Sequence, residues 1–151
     1  MSAALLIACQ TVQAPARDYV HRSTSGLMSI GLDIFIDLDT GIVRVRSSPV
    51  GLGGSHWHKS SRRLTSQQLA SFKETVRRAL IEGPMSKQCI EEDEVAKKRG
   101  GPPIDRSFND DDGMSSLDVN FEGRSGSVVD GICESPAFRE LDGVAFNLGN
   151  F

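Results

Sequence analysis

The 151 residues suit a single domain, large enough to bury roughly 68–70% of the unfolded surface without a metal or a dense set of disulfides. Apolar residues make up 38% and charged residues 25%, the balance of an ordinary globular protein. The formal net charge of −3 argues against a nucleic-acid partner, whose phosphates need a basic patch, and no apolar run approaches the roughly 20 residues that span a bilayer.

The chain opens Met1-Ser2-Ala3-Ala4-Leu5-Leu6-Ile7-Ala8-Cys9. The order Leu6-Ile7-Ala8-Cys9 resembles the lipobox of bacterial lipoproteins: an aliphatic residue, two small or aliphatic residues, then a cysteine. The resemblance covers this terminus alone. It implies that Cys9 carries lipid, becomes the mature N-terminus and ties the domain to a membrane surface. No Lys or Arg precedes the run, and it is shorter than the roughly 7–15 apolar residues of an export signal. A start codon further upstream would supply both. Gln10-Thr11-Val12-Gln13-Ala14-Pro15-Ala16 follows as a polar tether. Residues 1–29 thus read as a truncated signal-like segment and tether, and residues 30–151 as the domain.

Within the domain, Ile30, Leu32, Ile34, Ile36 and Leu38 alternate with Gly31, Asp33, Phe35 and Asp37, which predicts a strand over 30–38. Asp39-Thr40-Gly41 is a turn signal. Residues 42–46 return as a second strand, with Val43 and Val45 on one side and Arg44 and Arg46 on the other. Residues 47–63, rich in Gly and Ser, read as a loop. A helix then starts with Thr65 as N-cap, Gln68 completing a capping box, and Leu64 and Leu69 as a hydrophobic staple. Leu69, Phe72, Val76 and Ala79 or Leu80 form its inner stripe, and Gly83-Pro84 ends it.

Residues 85–112 hold few apolar side chains. The acidic run Glu91-Glu92-Asp93-Glu94, followed by Lys97-Lys98-Arg99, suits a short solvated helix with acid first and base last. A third strand is expected over 117–121 and a fourth over 127–132. Ser135 caps a last helix with Pro136 at its first position, whose stripe is Phe138, Leu141, Ala145 and Leu148. The expected class is α+β: an antiparallel sheet of about four strands with two helices packed on one face, in the order ββαββα. The opposite face would carry Asp33, Asp37, Arg44, Arg46, Asp118 and Asn120, either wet or against a partner.

The chain has three cysteines. With Cys9 lipidated, Cys89 and Cys133 remain as one pair, and a disulfide between them needs an oxidising compartment; the alternative is two free thiols. His56-Trp57-His58 is a weak metal candidate, with His21 or an aspartate as a third ligand; in the plainer reading Trp57 folds back to cap the core. Asn109-Asp110-Asp111-Asp112-Gly113 fails the EF-hand template, since Phe108 stands at the first ligand position and no glutamate at the twelfth. Gly51-Leu52-Gly53-Gly54-Ser55 is neither a P-loop nor a dinucleotide fingerprint, and no serine or cysteine sits in a nucleophile elbow. No catalytic residue and no cofactor are therefore expected. The function read from the sequence is a non-enzymatic, exported, lipid-anchored binding or interaction domain on the periplasmic side of a bacterial envelope. Its partner would be an unknown protein or small ligand, with no nucleic acid. The alternative is a small cytosolic, immunity-type interaction protein. A metal-dependent enzyme using His56 and His58 ranks third.

Overall fold

A computed structural model of the chain describes residues 17–25, 31–48, 57–106, 114–129 and 132–151. They form β1 (Tyr19–Ser25), β2 (Gly31–Asp37), β3 (Ile42–Ser48), β4 (His58–Arg63), α1 (Ser66–Glu82), α2 (Lys87–Lys98), β5 (Met114–Phe121), β6 (Arg124–Val129) and α3 (Pro136–Gly149). The class is α+β, but the order is ββββααββα rather than ββαββα. All six strands join one antiparallel sheet in the order β4-β3-β2-β1-β5-β6.

Two strands lie where the sequence predicts none. β1 falls inside the segment expected to be a tether, yet it is a central strand, paired with β2 on one side and β5 on the other. Its inward positions are Val20, Arg22 and Thr24, opposite Ile36, Ile34 and Leu32. An arginine at a core-facing position breaks the apolar alternation that would have marked the strand. Arg22, with a side chain 14% exposed, is tolerated there because it is paired. Its Nε donates to Asp142 Oδ1 of α3 at 2.7 Å, its Nη1 donates to Thr24 Oγ1 at 2.9 Å, and its guanidinium lies 5.1 Å from the Phe146 ring centroid.

β4, with the sequence HKSSRR, has no apolar residue and so no hydrophobic period. It is an edge strand, where charged side chains discourage pairing with another chain. Register with β3 places His58, Ser60 and Arg62 on the inner side. Arg62 reaches α3 and donates to the Leu148 carbonyl through Nε at 3.2 Å and Nη2 at 2.8 Å, satisfying a carbonyl that the helix end leaves open.

α1 and α3 pack against each other and against the inner sheet face. The start of α1 is built as its sequence requires. The Gln68 N–H donates to Thr65 Oγ1 at 3.1 Å, and the Thr65 N–H donates to Gln68 Oε1 at 3.0 Å. Phe72, Val76 and Ala79 of α1 meet Phe138, Leu141 and Ala145 of α3 in one core with Ile34, Ile36, Val43, Leu117 and Val119 of the sheet. A Cβ on Gly126 of β6 would stand 2.8 Å from Phe138 Cζ. Glycine at this position is what lets the ring lie against the strand.

α2 is the short solvated helix that its charge order predicts, and none of its residues is buried. It adds a third helix to the expected pair. Covalent and polar links hold it to the start of α3. Cys89 and Cys133 form a disulfide with Cα atoms 5.7 Å apart, within the range such a bond requires. The Ser86 N–H donates to the Cys133 carbonyl at 2.6 Å, the Ser135 N–H to the Pro84 carbonyl at 2.9 Å, and the Ser135 hydroxyl to the Gly83 carbonyl at 2.6 Å. Arg106 closes the far side, donating to Asp93 Oδ1 at 2.5 Å and to Glu92 Oε2 at 3.3 Å.

Candidate functional site

Among the described residues, the helices pack on one face of the sheet and leave the other open. Strand alternation and register assign its side chains. One row runs Lys59, Arg46, Asp33, Ser23, Ser116 and Val129 across the six strands, and the next runs Ser61, Arg44, Phe35, His21, Asp118 and Ser127. A third row begins at Arg63 and Ile42 and passes Tyr19 and Asn120.

Aromatic rings occupy the middle of this face. Tyr19 and Phe35 stack with centroids 5.5 Å apart, and the His21 ring lies 6.0 Å from Phe35. His21 Nε2 hydrogen-bonds Asp33 Oδ1. Trp57 also lies on this face, not under the core: a Cβ on Gly31 would stand 3.1 Å from Trp57 Cη2. The β3–β4 side is cationic. The Arg46 guanidinium lies 4.9 Å from the Trp57 centroid and that of Arg44 6.0 Å from Phe35, within cation–π reach. A shallow groove of about 500 Å³ runs here, lined by Arg44, Arg46, Lys59, Ser60 and Ser61.

The residues expected on the open face behave differently from one another. Arg44 and Arg46 are on it and exposed. Asp33 is on it, engaged by His21 and 4.0 Å from Arg46. Asp118 is half-buried and sits beside His21 in the register. Asn120 is tied down, donating from Nδ2 to the Arg17 carbonyl at 2.8 Å. Asp37 is not a wet side chain: it is only 6% exposed. Its Oδ1 accepts the N–H groups of Asp39 and Thr40 at 3.0 and 2.9 Å, which shapes the β2–β3 turn. Burial pushes the Asp37 carboxyl up, but hydrogen bonds from Thr40 and Asp39 and the charge of Arg17 outweigh it and hold the group below its ordinary value.

Sequence reasoning missed Tyr19, His21, Trp57, Lys59 and Arg63 as members of this face, because β1 and β4 were themselves hidden. The alternation of Tyr19, His21 and Ser23 against Val20, Arg22 and Thr24 is the signal that could have shown β1.

Of the other sequence candidates, Cys89 and Cys133 are joined in the disulfide. His58 is exposed at the start of β4, and His56 and Cys9 lie outside the described residues. Among the described residues, no three or more His, Cys, Asp or Glu side chains gather to hold a metal ion. Among them, too, no helix is long and apolar enough to cross a membrane.

On the helix side, Glu134 has a side chain only 9% exposed and 3.9 Å from Arg139. Burial, and then the charge of Asp142, push its carboxyl above the ordinary value, against Arg139 and Arg22. A raised carboxyl holds its proton more tightly in the folded state. Its ionised form therefore costs stability above the raised value, and that cost disappears as pH falls below the ordinary glutamate range. Glu134→Gln should melt at a higher temperature than the parent at neutral pH, with the gap closing on acidification. A gap that widens in acid would contradict this assignment.

The chain matches no protein-family model, and no curated protein is significantly similar to it.

Proposed function

We propose that the chain is a non-enzymatic interaction domain of a bacterial envelope, held at a membrane by lipid on Cys9, that presents its open sheet face to a protein partner. The observation that carries this reading is the sheet face left open among the described residues, where Tyr19, Phe35 and Trp57 sit among Arg44, Arg46 and Lys59. Tyr, Trp and Arg are the residues that dominate binding energy at protein interfaces. The Cys89–Cys133 disulfide supports an oxidising compartment such as the periplasm. The Leu6-Ile7-Ala8-Cys9 order supports the anchor, because multiple acyl chains hold a domain at a membrane without a spanning helix.

The test is fractionation of the native, full-length gene product. Wild type is expected in the membrane fraction with Cys89 and Cys133 linked in non-reducing peptide maps, and Cys9→Ser is expected to leave that fraction. Wild-type protein in the cytosol with both thiols free to alkylation would overturn the export half and favour the cytosolic, immunity-type reading.

A further inference from the structure

We propose that the β3–β4 half of the open face takes the carboxylates of an acidic segment on a partner protein, with the Arg44 and Arg46 guanidiniums and the Lys59 ammonium as its recognition groups. This rests on the interaction reading above and names the partner's chemistry.

The cations are unevenly matched with carboxylates. Four arginines elsewhere are paired: Arg22 with Asp142, Arg77 with Glu122, Arg78 with Glu140 and Arg106 with Asp93. On this half-face, Arg44, Lys59 and Arg63 have no carboxylate within ion-pair distance among the described residues, and Arg46 has only Asp33 at the 4.0 Å limit. Register places Arg46 opposite Lys59 and Arg44 opposite Ser61, so the cations crowd together, with Asp33 at the 4.0 Å limit as their one counter-charge among the described residues. Like charges directly opposite across strands are unfavourable, which an incoming anion would relieve.

The guanidiniums are also pre-oriented. Arg44 lies over Phe35 and Arg46 over Trp57, so less side-chain freedom is lost when each fork grips a carboxylate. The groove beside them carries the hydroxyl of Ser61, which register places on the same face as Arg44, suited to a second oxygen of the same ligand. Toward β5 the face changes sign, with Asp33 and Asp118 on β2 and β5. A uniform polyanion laid across all six strands would meet these carboxylates. A short acidic segment confined to β3 and β4 would not. The same contrast separates an acidic peptide from a nucleic acid, whose phosphates repeat along its whole length.

The oxidised full chain, labelled with ¹⁵N, would be titrated at low salt with hexaglutamate and, separately, with an oligothymidylate. Hexaglutamate should shift the amide signals of Arg44, Arg46, Lys59 and Ser61 and the Nε–H signals of the two arginines, and added salt should reverse the shifts. Arg44→Gln/Lys59→Gln, two exposed changes that leave the core untouched, should weaken the binding roughly tenfold. Shifts with the oligothymidylate alone would overturn the proposal in favour of a phosphate polyanion, and shifts with neither probe would overturn it outright. An envelope partner that Arg44→Gln/Lys59→Gln binds as well as wild type, but Phe35→Ser does not, would sink the acidic-segment inference and leave the interaction reading standing. A partner held equally by all three proteins would sink both.

Discussion

Phe138→Ala is expected to destabilise the domain by about 3–5 kcal/mol, through lost burial and the cavity left behind. Phe138 is fully buried at the first turn of α3, and its backbone N–H donates to the capping hydroxyl of Ser135 at 3.2 Å. Its ring fills the space that Gly126 leaves open on β6, joining α3 to the far edge of the sheet. The surrounding groups are fixed by strand pairing and by the disulfide next to Ser135, so the site has little freedom to collapse, and the upper part of the range is expected. Equilibrium denaturant melts measure the loss. A loss under about 1 kcal/mol would mean that this turn of α3 does not close the core.

The second large effect belongs to the disulfide. Cys89 and Cys133 are separated by 44 positions, and in the chain-entropy model a loop of that length contributes about 4 kcal/mol. Cys89→Ser/Cys133→Ser should lower the stability by about this amount, and reduction of the wild type should match it. The loss should also have a place in the molecule. α2 buries none of its residues, so without the cystine it is held by the Arg106 ion pairs and the few hydrogen bonds around Ser86 and Ser135. Hydrogen exchange should therefore show α2 opening first, while β1, β2 and β5 keep their protection. Equal stability of the oxidised and reduced proteins would contradict the cross-link's role.

These two effects mark what the sequence made legible. The Ile34, Ile36 and Val43, Val45 alternations, the Thr65–Gln68 capping box and the Ser135-Pro136 helix start are local signals, and each appears in the structure where its pattern predicts. The Cys89–Cys133 pair was legible through the cysteine count. What stayed hidden depends on distant partners. β1 carries Arg22 on its inner face, and only Asp142, 120 positions later, makes that acceptable. β4 has no apolar residue and takes its strand conformation from pairing with β3. The open face was legible only in part for the same reason. Arg44 and Arg46 could be placed by alternation on a visible strand, whereas Tyr19, His21 and Lys59 belong to the two strands that could not be seen. Asp37 follows the alternation but turns its carboxylate to the backbone N–H groups of Asp39 and Thr40, a turn-capping role that period-two patterning does not predict.

The most direct test of the interaction reading is site-specific photo-crosslinking in living cells of the native organism, using the full-length gene. A photoreactive side chain at Ser61, exposed on the open face of β4, should give one discrete protein adduct. The same group at Ala70, exposed on α1 on the opposite side of the sheet, should give none. An adduct from Ala70 with none from Ser61 would show that the helix side carries the contact and would contradict the account.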